Sequence, residues 1–441
     1  MTDSSNPDVH DGASRRDFIK KSSILVAGAG VSGSLSVARS AHAQGSDEIK
    51  FGLVGCGGRG TKAAVQVMNT KGPTRLVAMA DVFPDRLQAS LRGIKGEHAD
   101  KVDVPPERQF VGFDGYKQVL DEDIDIVLLT TPPHFRPMHF EAAVAAGKHV
   151  FFEKPLAVDA PGVRRILAAG EEAGQRGLAV AVGLQRHHEP RYIDTIARVK
   201  EGAIGNIIAA RAYWNSTGVW VRERKPSQTE MEYQMRNWYY FNWICGDHIV
   251  EQHIHNLDVI NWVLDAYPVT AHGMGGRQIR TGIDHGQIYD HHSVEFTYAN
   301  GVKLFSQCRH MDHTWSNVSE HVHGTEGSAN LIGNIYDTEG RETWKYGRGG
   351  GEGHQQEHHD LFASLRAGER PNETEYGAYS TMTAIMGRMA TYSGKEVKWE
   401  DALNSAIDLS PAEYAWDADP PVMPDANGRY PIPVPGETVV I

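Results

Sequence analysis

The chain has 441 residues, of which 40% are hydrophobic and 23% charged, a composition that indicates a globular protein rather than a disordered or fibrous one. This length predicts at least two domains. The formal net charge of −12 argues against nucleic-acid binding, because a negative surface repels the phosphate backbone. The three cysteines are too few and too far apart for a disulfide framework or a thiolate metal site. Histidine, with 22 residues, is unusually frequent, which indicates metal binding, proton transfer or both.

The first 43 residues have the pattern of an export signal of the twin-arginine type. Arg15 and Arg16 stand in the segment SRRDFIK, a weakly apolar run follows from Ile24 to Ala38, and Ala41-His42-Ala43 offers a cleavage point. The apolar run is shorter than the roughly 20 residues that a membrane span needs. We therefore expect a periplasmic or otherwise exported protein that is not inserted in a membrane after cleavage. The alternative is a basic extension on a cytoplasmic protein.

From Ile49 onward, short apolar strands alternate with helical segments. This alternation is typical of βαβ units and predicts a parallel sheet. Residues 49–183 are therefore expected to form a Rossmann domain. Strands are predicted at 49–54, 75–80, 124–130, 148–152 and 179–182, and helices at 61–68, 137–146 and 160–174.

Beyond residue 184 the pattern changes to longer alternating runs, which predict an open, mainly antiparallel sheet. We expect residues 184–416 to form a second α/β domain that holds the substrate. An exposed sheet face needs a cover, so this domain is also expected to carry the interface of a homodimer or homotetramer. The Pro- and Gly-rich residues 417–441 are expected to form a surface tail. The segments concerned are a helix at 192–201 and strands at 207–214, 291–298, 302–308 and 328–332.

A glycine motif, Gly55-x-Gly57-x-x-Gly60, follows the first strand and opens the first helix. Such glycines allow a tight turn and a close approach of the backbone to a pyrophosphate, whose charge the helix N-terminus favours. Asp81 ends the second strand, where a carboxylate can accept hydrogen bonds from the adenosine ribose and repels a 2′-phosphate. NAD is therefore the expected cofactor. Its predicted contacts in this part of the chain are Gly55, Gly57, Gly58, Arg59, Gly60 and Asp81.

Three further stretches carry a resemblance to a known family. Glu153-Lys154-Pro155 follows a strand, Thr131-Pro132-Pro133-His134 follows another, and the segment GDHIVEQHIHNLDVINWVL begins at Gly246. With the glycine motif, and in this order, they resemble the Gfo/Idh/MocA family, which includes glucose–fructose oxidoreductase and inositol dehydrogenase. The resemblance covers roughly residues 49 to 399. It implies an N-terminal Rossmann domain and a C-terminal α/β domain with an open, mainly antiparallel sheet.

The resemblance also implies roles for individual residues. Lys154 would contact cofactor and substrate, and Glu153 the cofactor. An acid and a histidine four residues later would act on the substrate hydroxyl, which maps onto Glu251 and His255. Glutamate replaces the usual aspartate here, and its extra methylene moves the carboxylate by about 1.5 Å, enough to matter for catalysis. The nicotinamide-side loop would comprise Thr131, Pro132 and His134, with Pro133 where the family usually has Asn.

The segment 247–264 is predicted as one continuous helix with an apolar side and a polar side. Glu251 and His255 stand four residues apart and can hydrogen-bond to each other. A carboxylate beside an imidazole raises its basicity, so His255 would take the hydroxyl proton while Lys154 stabilises the negative charge on the oxygen. The tryptophan and two histidines on the polar side favour a cleft there, and a polar side turned to water is the alternative. The predicted polar side carries His248, Glu251, His255, Asp258 and Trp262.

Further candidates follow from position. Gln185 is expected at the nicotinamide, with Arg186 and His187 where nicotinamide and substrate meet. The aromatic run 238–243 is a possible carbohydrate wall, because aromatic faces stack on sugar rings; core or dimer packing is the alternative. From these stretches the predicted substrate contacts are Arg186, His187, Tyr240, Trp243 and His248.

A metal site is an alternative use of the histidines. His248, Glu251 and His255 could share one helical face, and His313, His321 or His323 could complete such a site. The spacing is not HExxH and no cysteine supports it, so no metal is expected.

These expectations combine into an NAD-dependent oxidoreductase that acts on a secondary hydroxyl of a sugar, cyclitol or glycoside and keeps and recycles its cofactor. One alternative is an NAD-dependent glycoside hydrolase that oxidises, eliminates and reduces in sequence. A second is a non-catalytic periplasmic sugar-binding protein that retains NAD. Lys154, Glu251 and His255 argue against the second alternative.

Overall fold

The computed structural model describes residues 47–347, 349 and 351–441. The predicted export signal, residues 1–43, lies outside the described residues. The described chain contains two β-sheets, one of six strands and one of nine. In this part of the chain, no helix combines the length and the hydropathy that a membrane crossing requires.

The first sheet is wholly parallel, with the strand order β3-β2-β1-β4-β5-β6. This is the doubly wound order, in which the chain direction of the crossovers reverses between β1 and β4. Ligands bind such sheets in the crevice at the carboxyl ends of the strands next to that reversal. The strands are β1 (Ile49–Val54), β2 (Thr74–Asp81), β3 (Gln109–Val111), β4 (Ile126–Leu129), β5 (His149–Phe152) and β6 (Val180–Val182).

Helices cover both faces of this sheet, and its inner strands are accordingly buried on both sides and form nearly continuous apolar runs. One face packs on α1, α2 and a helix from late in the chain, Gly353–Ala367. The other face packs on α3, α4 and α5. These helices are α1 (Gly58–Met68), α2 (Pro84–His98), α3 (Gly115–Asp121), α4 (Arg136–Ala145) and α5 (Ala160–Gln175).

The second sheet has the order β14-β13-β12-β11-β7-β10-β9-β8-β15 and is antiparallel except for the pair β7 and β10. Along β10, Leu304 and Cys308 are buried while Phe305 is exposed, so one face is covered and the other is open. The strands are β7 (Ile207–Ser216), β8 (Pro268–Gly276), β9 (His291–Tyr298), β10 (Lys303–His310), β11 (Asn317–Gly324), β12 (Gly327–Asn330), β13 (Asn334–Asp337), β14 (Glu342–Lys345) and β15 (Val397–Lys398).

The covered face carries the helices of the second half. The longest of them, α12, packs on both α5 and β8, so the apolar core continues from the first sheet to the second. The fold class is confirmed, whereas the domain boundaries at 183 and 416 stay predictions. These helices are α6 (Pro190–Lys200), α7 (Glu230–Arg236), α8 (Asn242–Cys245), α9 (His248–Glu251), α10 (Ile254–Leu264), α11 (Gly353–Ala367), α12 (Thr374–Ser393) and α13 (Trp399–Leu403).

The continuous helix predicted at 247–264 is wrong. Helix α9 ends at Glu251, Gln252 has a φ of −111°, and α10 begins at Ile254. The intervening His253 is fully buried, and its Nε2 lies 2.7 Å from Ser306 Oγ on β10. A tertiary contact with the second sheet is thus made at the break, which the periodicity of the segment does not reveal.

Candidate active site

A cavity of about 510 Å³ lies at the carboxyl ends of β1, β2, β4 and β5. The glycine turn and the strand ends line one part of it, and α9, α10 and the irregular segment after β7 line the other. Its walls therefore combine the predicted cofactor site with residues from the second half of the chain. Predicted residues in the lining are Gly55, Gly57, Gly58, Arg59, Gly60, Asp81, Thr131, Pro132, Glu153, Lys154, Glu251 and His255.

The glycine turn has the shape that a dinucleotide needs. Gly55 has a φ of +96°, and a Cβ there would lie 2.6 Å from the Thr131 nitrogen. A Cβ at Gly60 would lie 2.1 Å from the Gly55 carbonyl, so both positions exclude larger residues. At Gly57 and Gly58, by contrast, a Cβ would meet nothing within 4 Å. This open space before the N-terminus of α1 fits a pyrophosphate.

Asp81 is fixed by the turn that it faces. Its Oδ2 accepts the Cys56 N–H at 2.7 Å and its Oδ1 accepts the Phe83 N–H at 2.9 Å. Burial raises the pKa of this carboxyl above its ordinary value, although the two N–H groups oppose the shift. Each oxygen has one more lone pair, so both can accept a ribose hydroxyl.

Arg59 joins the glycine turn to two buried carboxylates. Its guanidinium pairs with Glu153 and, at 2.9 Å, with Glu357 Oε1 on α11. Burial alone would raise the pKa of Glu153, but the charges of Arg59, Lys154 and Arg136 hold it below its ordinary value. The ion pairs thus fix the backbone that immediately precedes Lys154.

Lys154 reaches across the cavity to α9. Its Nζ donates to the Glu251 carbonyl oxygen at 2.5 Å and to Glu251 Oε1 at 3.1 Å. Both side chains are mostly buried, with 10% and 13% of their surfaces exposed. The ammonium group is therefore held at the cavity wall by a partner from the other half of the chain.

His255 presents a neutral imidazole to the cavity. Burial and then the charges of Lys154 and Arg186 lower its pKa well below the ordinary value, so the ring is uncharged at neutral pH. Its buried Nδ1 has no hydrogen-bond partner among the described residues. A neutral ring of this kind can accept a proton.

The predicted hydrogen bond between Glu251 and His255 does not form; Glu251 binds Lys154 instead. The break at Gln252 and His253 separates the two residues, so they no longer stand one turn apart on a continuous helix. Glu251 thus pairs with Lys154, and the Lys154 charge is one of the causes that lower the pKa of His255.

This arrangement predicts a pH effect. Glu251→Gln leaves the Lys154 charge unpaired, which disfavours the imidazolium of His255 and lowers its pKa. Because the neutral ring is the active form, the acid limb of kcat/KM should move to lower pH, and the pH dependence of kcat/KM measures this. In a Lys154→Met background, Glu251→Gln should leave the pH of the acid limb of kcat/KM unchanged. A shift of equal size in both backgrounds would mean that Glu251 acts on His255 directly.

The loop after β4 lies partly outside the cavity. Thr131 and Pro132 line it, whereas His134 packs behind them with its Nε2 2.7 Å from the Tyr414 hydroxyl. Burial lowers the pKa of His134 to about 4, so this ring is also neutral. The structure thus places His134 behind the loop, and its contact with the cofactor stays a prediction.

Three residues predicted near the nicotinamide also lie outside the cavity lining, so their roles stay predictions. The Oε1 of Gln185 is buried and has no hydrogen-bond partner in the described chain. Arg186 forms a buried ion pair with Glu320 on β11. His187 lies between two aromatic rings, and its Nε2 is 2.8 Å from Asp258 Oδ2. All three follow β6, and the side chains of Arg186 and His187 pack toward the second sheet and its helices.

The predicted carbohydrate wall lies mostly outside the cavity lining. The Tyr240 hydroxyl donates to the Val219 carbonyl at 3.0 Å, and the Trp243 indole N–H donates to Gln234 Oε1 at 2.7 Å. Both side chains are buried in an aromatic core and do not line the cavity. Of the run 238–243, Trp238 lines it.

His248 is also turned away from the cavity. Its Nδ1 lies 2.8 Å from Asp247 Oδ1, and the possible ligand atoms of Asp247, His248 and His292 lie within 4.8 Å of one another. The Asp247 carboxylate additionally accepts the Tyr289 N–H at 2.9 Å and the Tyr392 hydroxyl at 2.6 Å. This buried network fixes the start of α9. His248, Glu251 and His255 therefore do not share the face on which the alternative metal site depended.

Several lining residues were not predicted. Arg136 lines the cavity and donates to the Thr131 carbonyl at 2.7 Å and to that of Pro155. Its position five residues after Thr131, next to the predicted nicotinamide-side loop, was the feature of the sequence that could have identified Arg136 as a lining residue. The others come from loops or helix ends without a recognisable pattern: Phe83, Arg86, Trp220, Arg222, Met235, Arg236, Gln252 and His354.

Comparisons with known proteins agree with this geometry. The model of the oxidoreductase family with an NAD-binding Rossmann fold matches residues 49–182, and that of the GFO/IDH/MocA C-terminal domain matches residues 194–330. The inositol 2-dehydrogenase of Agrobacterium fabrum is 28% identical over 287 residues, which cover 64% of this chain and 74% of the relative. That of Klebsiella pneumoniae is 29% identical over 276 residues, covering 59% and 68%.

Solved structures share the fold. The scyllo-inositol dehydrogenase of Lactobacillus casei with bound NAD(H) and scyllo-inositol aligns with a TM-score of 0.61 at 19% identity, over 80% of this chain and 99% of that chain. Levoglucosan dehydrogenase in complex with NADH aligns with a TM-score of 0.62 at 17% identity, over 80% and 99%. The chain belongs to the Gfo/Idh/MocA family of NAD-dependent oxidoreductases.

Proposed function

We propose that this enzyme oxidises a secondary hydroxyl group of a sugar, cyclitol or glycoside. The observation that carries the proposal is the meeting of Lys154, Glu251 and His255 in the cavity that also holds the glycine turn. The inositol 2-dehydrogenases among its relatives support a polyhydroxylated substrate.

The three residues have distinct tasks in this proposal. His255, neutral at the start, accepts the proton of the substrate hydroxyl. Lys154 stabilises the negative charge that develops on the oxygen, and Glu251 holds Lys154 in position at 3.1 Å. NAD, when bound, supplies the hydride acceptor. The buried positions of Lys154 and His255 keep bulk water from competing for the oxygen.

A substrate screen tests the proposal. Purified enzyme with NAD is mixed with inositols, free sugars and methyl glycosides, and both NADH absorbance and the keto product by mass spectrometry are followed. A keto product from at least one class is expected. If none forms, while NAD binding is intact, the proposed substrate class is wrong.

We further propose that the cofactor is retained between turnovers and that its hydride is returned within the same site, either to a second substrate or to the same sugar after an elimination or epimerisation. Two segments pack against Phe83, two residues after Asp81. On α7, Arg236 forms two 2.8 Å hydrogen bonds to Asp85, and its guanidinium lies 3.7 Å from the centre of the Phe83 ring. From the tail side, Trp416 packs 5.2 Å from Phe83. Cover of this kind slows release of the adenosine half.

Retention predicts that NAD accompanies the protein through purification. Protein prepared without added cofactor and extracted with acid should yield close to one NAD per chain, and it should turn over without added NAD. Recovery of empty protein that works only with external NAD would contradict retention. It would leave the proposed oxidation itself untouched.

Retained NAD favours a second candidate function, glycoside hydrolysis by oxidation, elimination and reduction. Oxidation of a ring hydroxyl acidifies the neighbouring C–H, which permits loss of the aglycone, and the reduction then restores NAD. Release of aglycone from an aryl glycoside without net NADH would identify this hydrolase. Accumulation of a keto-glycoside with its aglycone intact would identify the dehydrogenase.

Location and assembly are part of the proposal. We propose export by the twin-arginine route, which carries folded proteins and would let NAD bind beforehand. Replacing Arg15 and Arg16 by lysine should then keep the protein in the cytoplasmic fraction.

We also propose a homo-oligomer formed through the open face of the second sheet, where Met274 is 79%, Phe305 47% and Trp315 58% exposed. Light scattering that finds a monomer would exclude it.

A further inference from the structure

Two tryptophans form a corner in the cavity that the proposed chemistry does not use. Trp220 and Trp238 both line the cavity, with ring centres 5.8 Å apart and planes at 65°. Trp220 is 39% exposed, although it belongs to the residue type with the largest apolar surface. We call these two residues the tryptophan corner.

Tyr239 connects the corner to the helix that carries Glu251. Both tryptophans pack against Tyr239, at 6.3 Å and 5.5 Å between ring centres. Tyr239 in turn stacks on His310 at 6.0 Å, and the His310 ring lies 4.6 Å from that of His248 in α9. The corner and Glu251, the last residue of α9, line the same cavity.

Backbone hydrogen bonds hold the corner in place although its segment has no regular secondary structure. The Val219 carbonyl accepts the Tyr240 hydroxyl at 3.0 Å, and the Arg222 N–H donates to Asn237 Oδ1 at 2.8 Å. Asn237 is fully buried and donates in turn to the Asp284 carbonyl at 2.7 Å. The indole of Trp220 is thus presented by a fixed loop, which lowers the entropy cost of binding on it.

Arg222 supplies hydrogen-bond donors at the same place. Its guanidinium lies 5.3 Å from the centre of the Trp220 ring. Three other cations of the lining, Arg59, Lys154 and Arg236, each have a carboxylate partner, whereas no ion pair of the described residues involves Arg222. Aromatic faces beside free N–H donors match a sugar ring, which has apolar C–H faces and hydroxyl oxygens at its rim.

We propose that the tryptophan corner is a second sugar subsite and that the substrate is a glycoside of two rings. One ring lies at Lys154 and His255 for oxidation, and the other stacks in the corner within reach of Arg222. This inference rests on the proposed function and narrows its substrate class from single-ring sugars and cyclitols to glycosides.

The test measures binding without turnover, on the NADH-loaded enzyme, by isothermal titration. The probes are glucose and methyl glucoside as single rings, and maltose, cellobiose and lactose as two-ring ligands. The wild type should bind at least one two-ring ligand more tightly than either single ring. Trp220→Ala should weaken that ligand about 3- to 10-fold, the range expected for one aromatic stacking contact, and leave the single-ring affinities within about twofold.

Matched variants separate the subsite from general damage. Trp220→Phe should recover most of the two-ring affinity, and Arg222→Ala should lower it without changing the melting temperature. Ile193→Ala, which removes an exposed apolar side chain on α6 outside the cavity lining, should have no effect. Equal losses for one-ring and two-ring ligands in Trp220→Ala, or a wild type without preference for two rings, would overturn the subsite alone. Failure to bind any two-ring ligand would likewise overturn the subsite, whereas the proposed function is overturned only by the substrate screen above, which includes inositols.

Discussion

Replacing Lys154 by methionine or His255 by alanine lowers kcat by about 100-fold or more while NAD remains bound, which is the usual range for a positioned acid–base group. Methionine keeps the length of the side chain and removes the charge that stabilises the oxygen. Alanine removes the neutral ring that accepts the proton. Neither side chain belongs to the glycine turn, so cofactor content should stay at the wild-type level, as acid extraction and absorbance will measure.

Controls must show that these losses are chemical rather than structural. Lys117→Met and His272→Ala change the same residue types at exposed positions, and both should keep full activity. Lys154→Met also leaves Glu251 without its partner, so its melting temperature must be compared with that of Glu251→Gln. Loss of bound NAD in parallel with activity would show that Lys154 serves the cofactor site rather than the reaction. Wild-type turnover in His255→Ala would remove His255 from the mechanism.

The second large effect is expected for the substitution Asp81→Ser. NAD affinity should fall roughly 10- to 100-fold, since each hydrogen bond to a charged group contributes about 1.5–3 kcal/mol. NADP affinity should fall less or rise, because the carboxylate that repels a 2′-phosphate is gone. The gap between the two cofactors therefore narrows. Titration of apoprotein with each cofactor, followed by fluorescence, measures both affinities.

Asp123 provides the matched control. Its exposed carboxylate binds Lys50 and does not line the cavity, so Asp123→Ser should leave the preference between NAD and NADP unchanged. Asp81→Asn tests the anchoring of the turn, because its amide oxygen can still accept the Cys56 N–H. If wild-type protein binds NAD and NADP equally, Asp81 does not read the ribose.

The fold of the first half of the chain could be predicted because its strands, turns and helices are specified by residues close together in the sequence. Each βαβ unit places a strand, a turn and a helix within about 30 residues, and period and spacing identify all three. The glycine motif and Asp81 could therefore be placed at the ends of β1 and β2, where the structure has them. In the second half, strict alternation gave strand β9 with the same bounds, 291–298.

Hydrophobic periodicity gave a wrong prediction for a helical segment in which nearly every residue is buried. In the segment 247–264 the 3.6-residue repeat predicts a polar side that faces a cleft, yet His248 and Asp258 are buried away from the cavity together with the apolar residues. A helix enclosed by a sheet and by α12 has no solvent side, so the pattern of polar residues reflects buried partners. The break at Gln252 and His253 depends on one such partner, Ser306, which lies 53 residues further along the chain.

The sequence by itself determined the Rossmann fold, the cofactor class and the identity of Lys154, Glu251 and His255 as candidates, because short-range spacing specifies turns, strands and motifs. Only the tertiary structure decided which side chains meet. Lys154 and Glu251 stand 97 positions apart, and Arg59 and Glu357 stand 298 apart. The local sequence pattern indicates which chemistry a side chain can perform. Which partner that side chain meets depends on how α9, α11 and the segment after β7 pack around the first sheet.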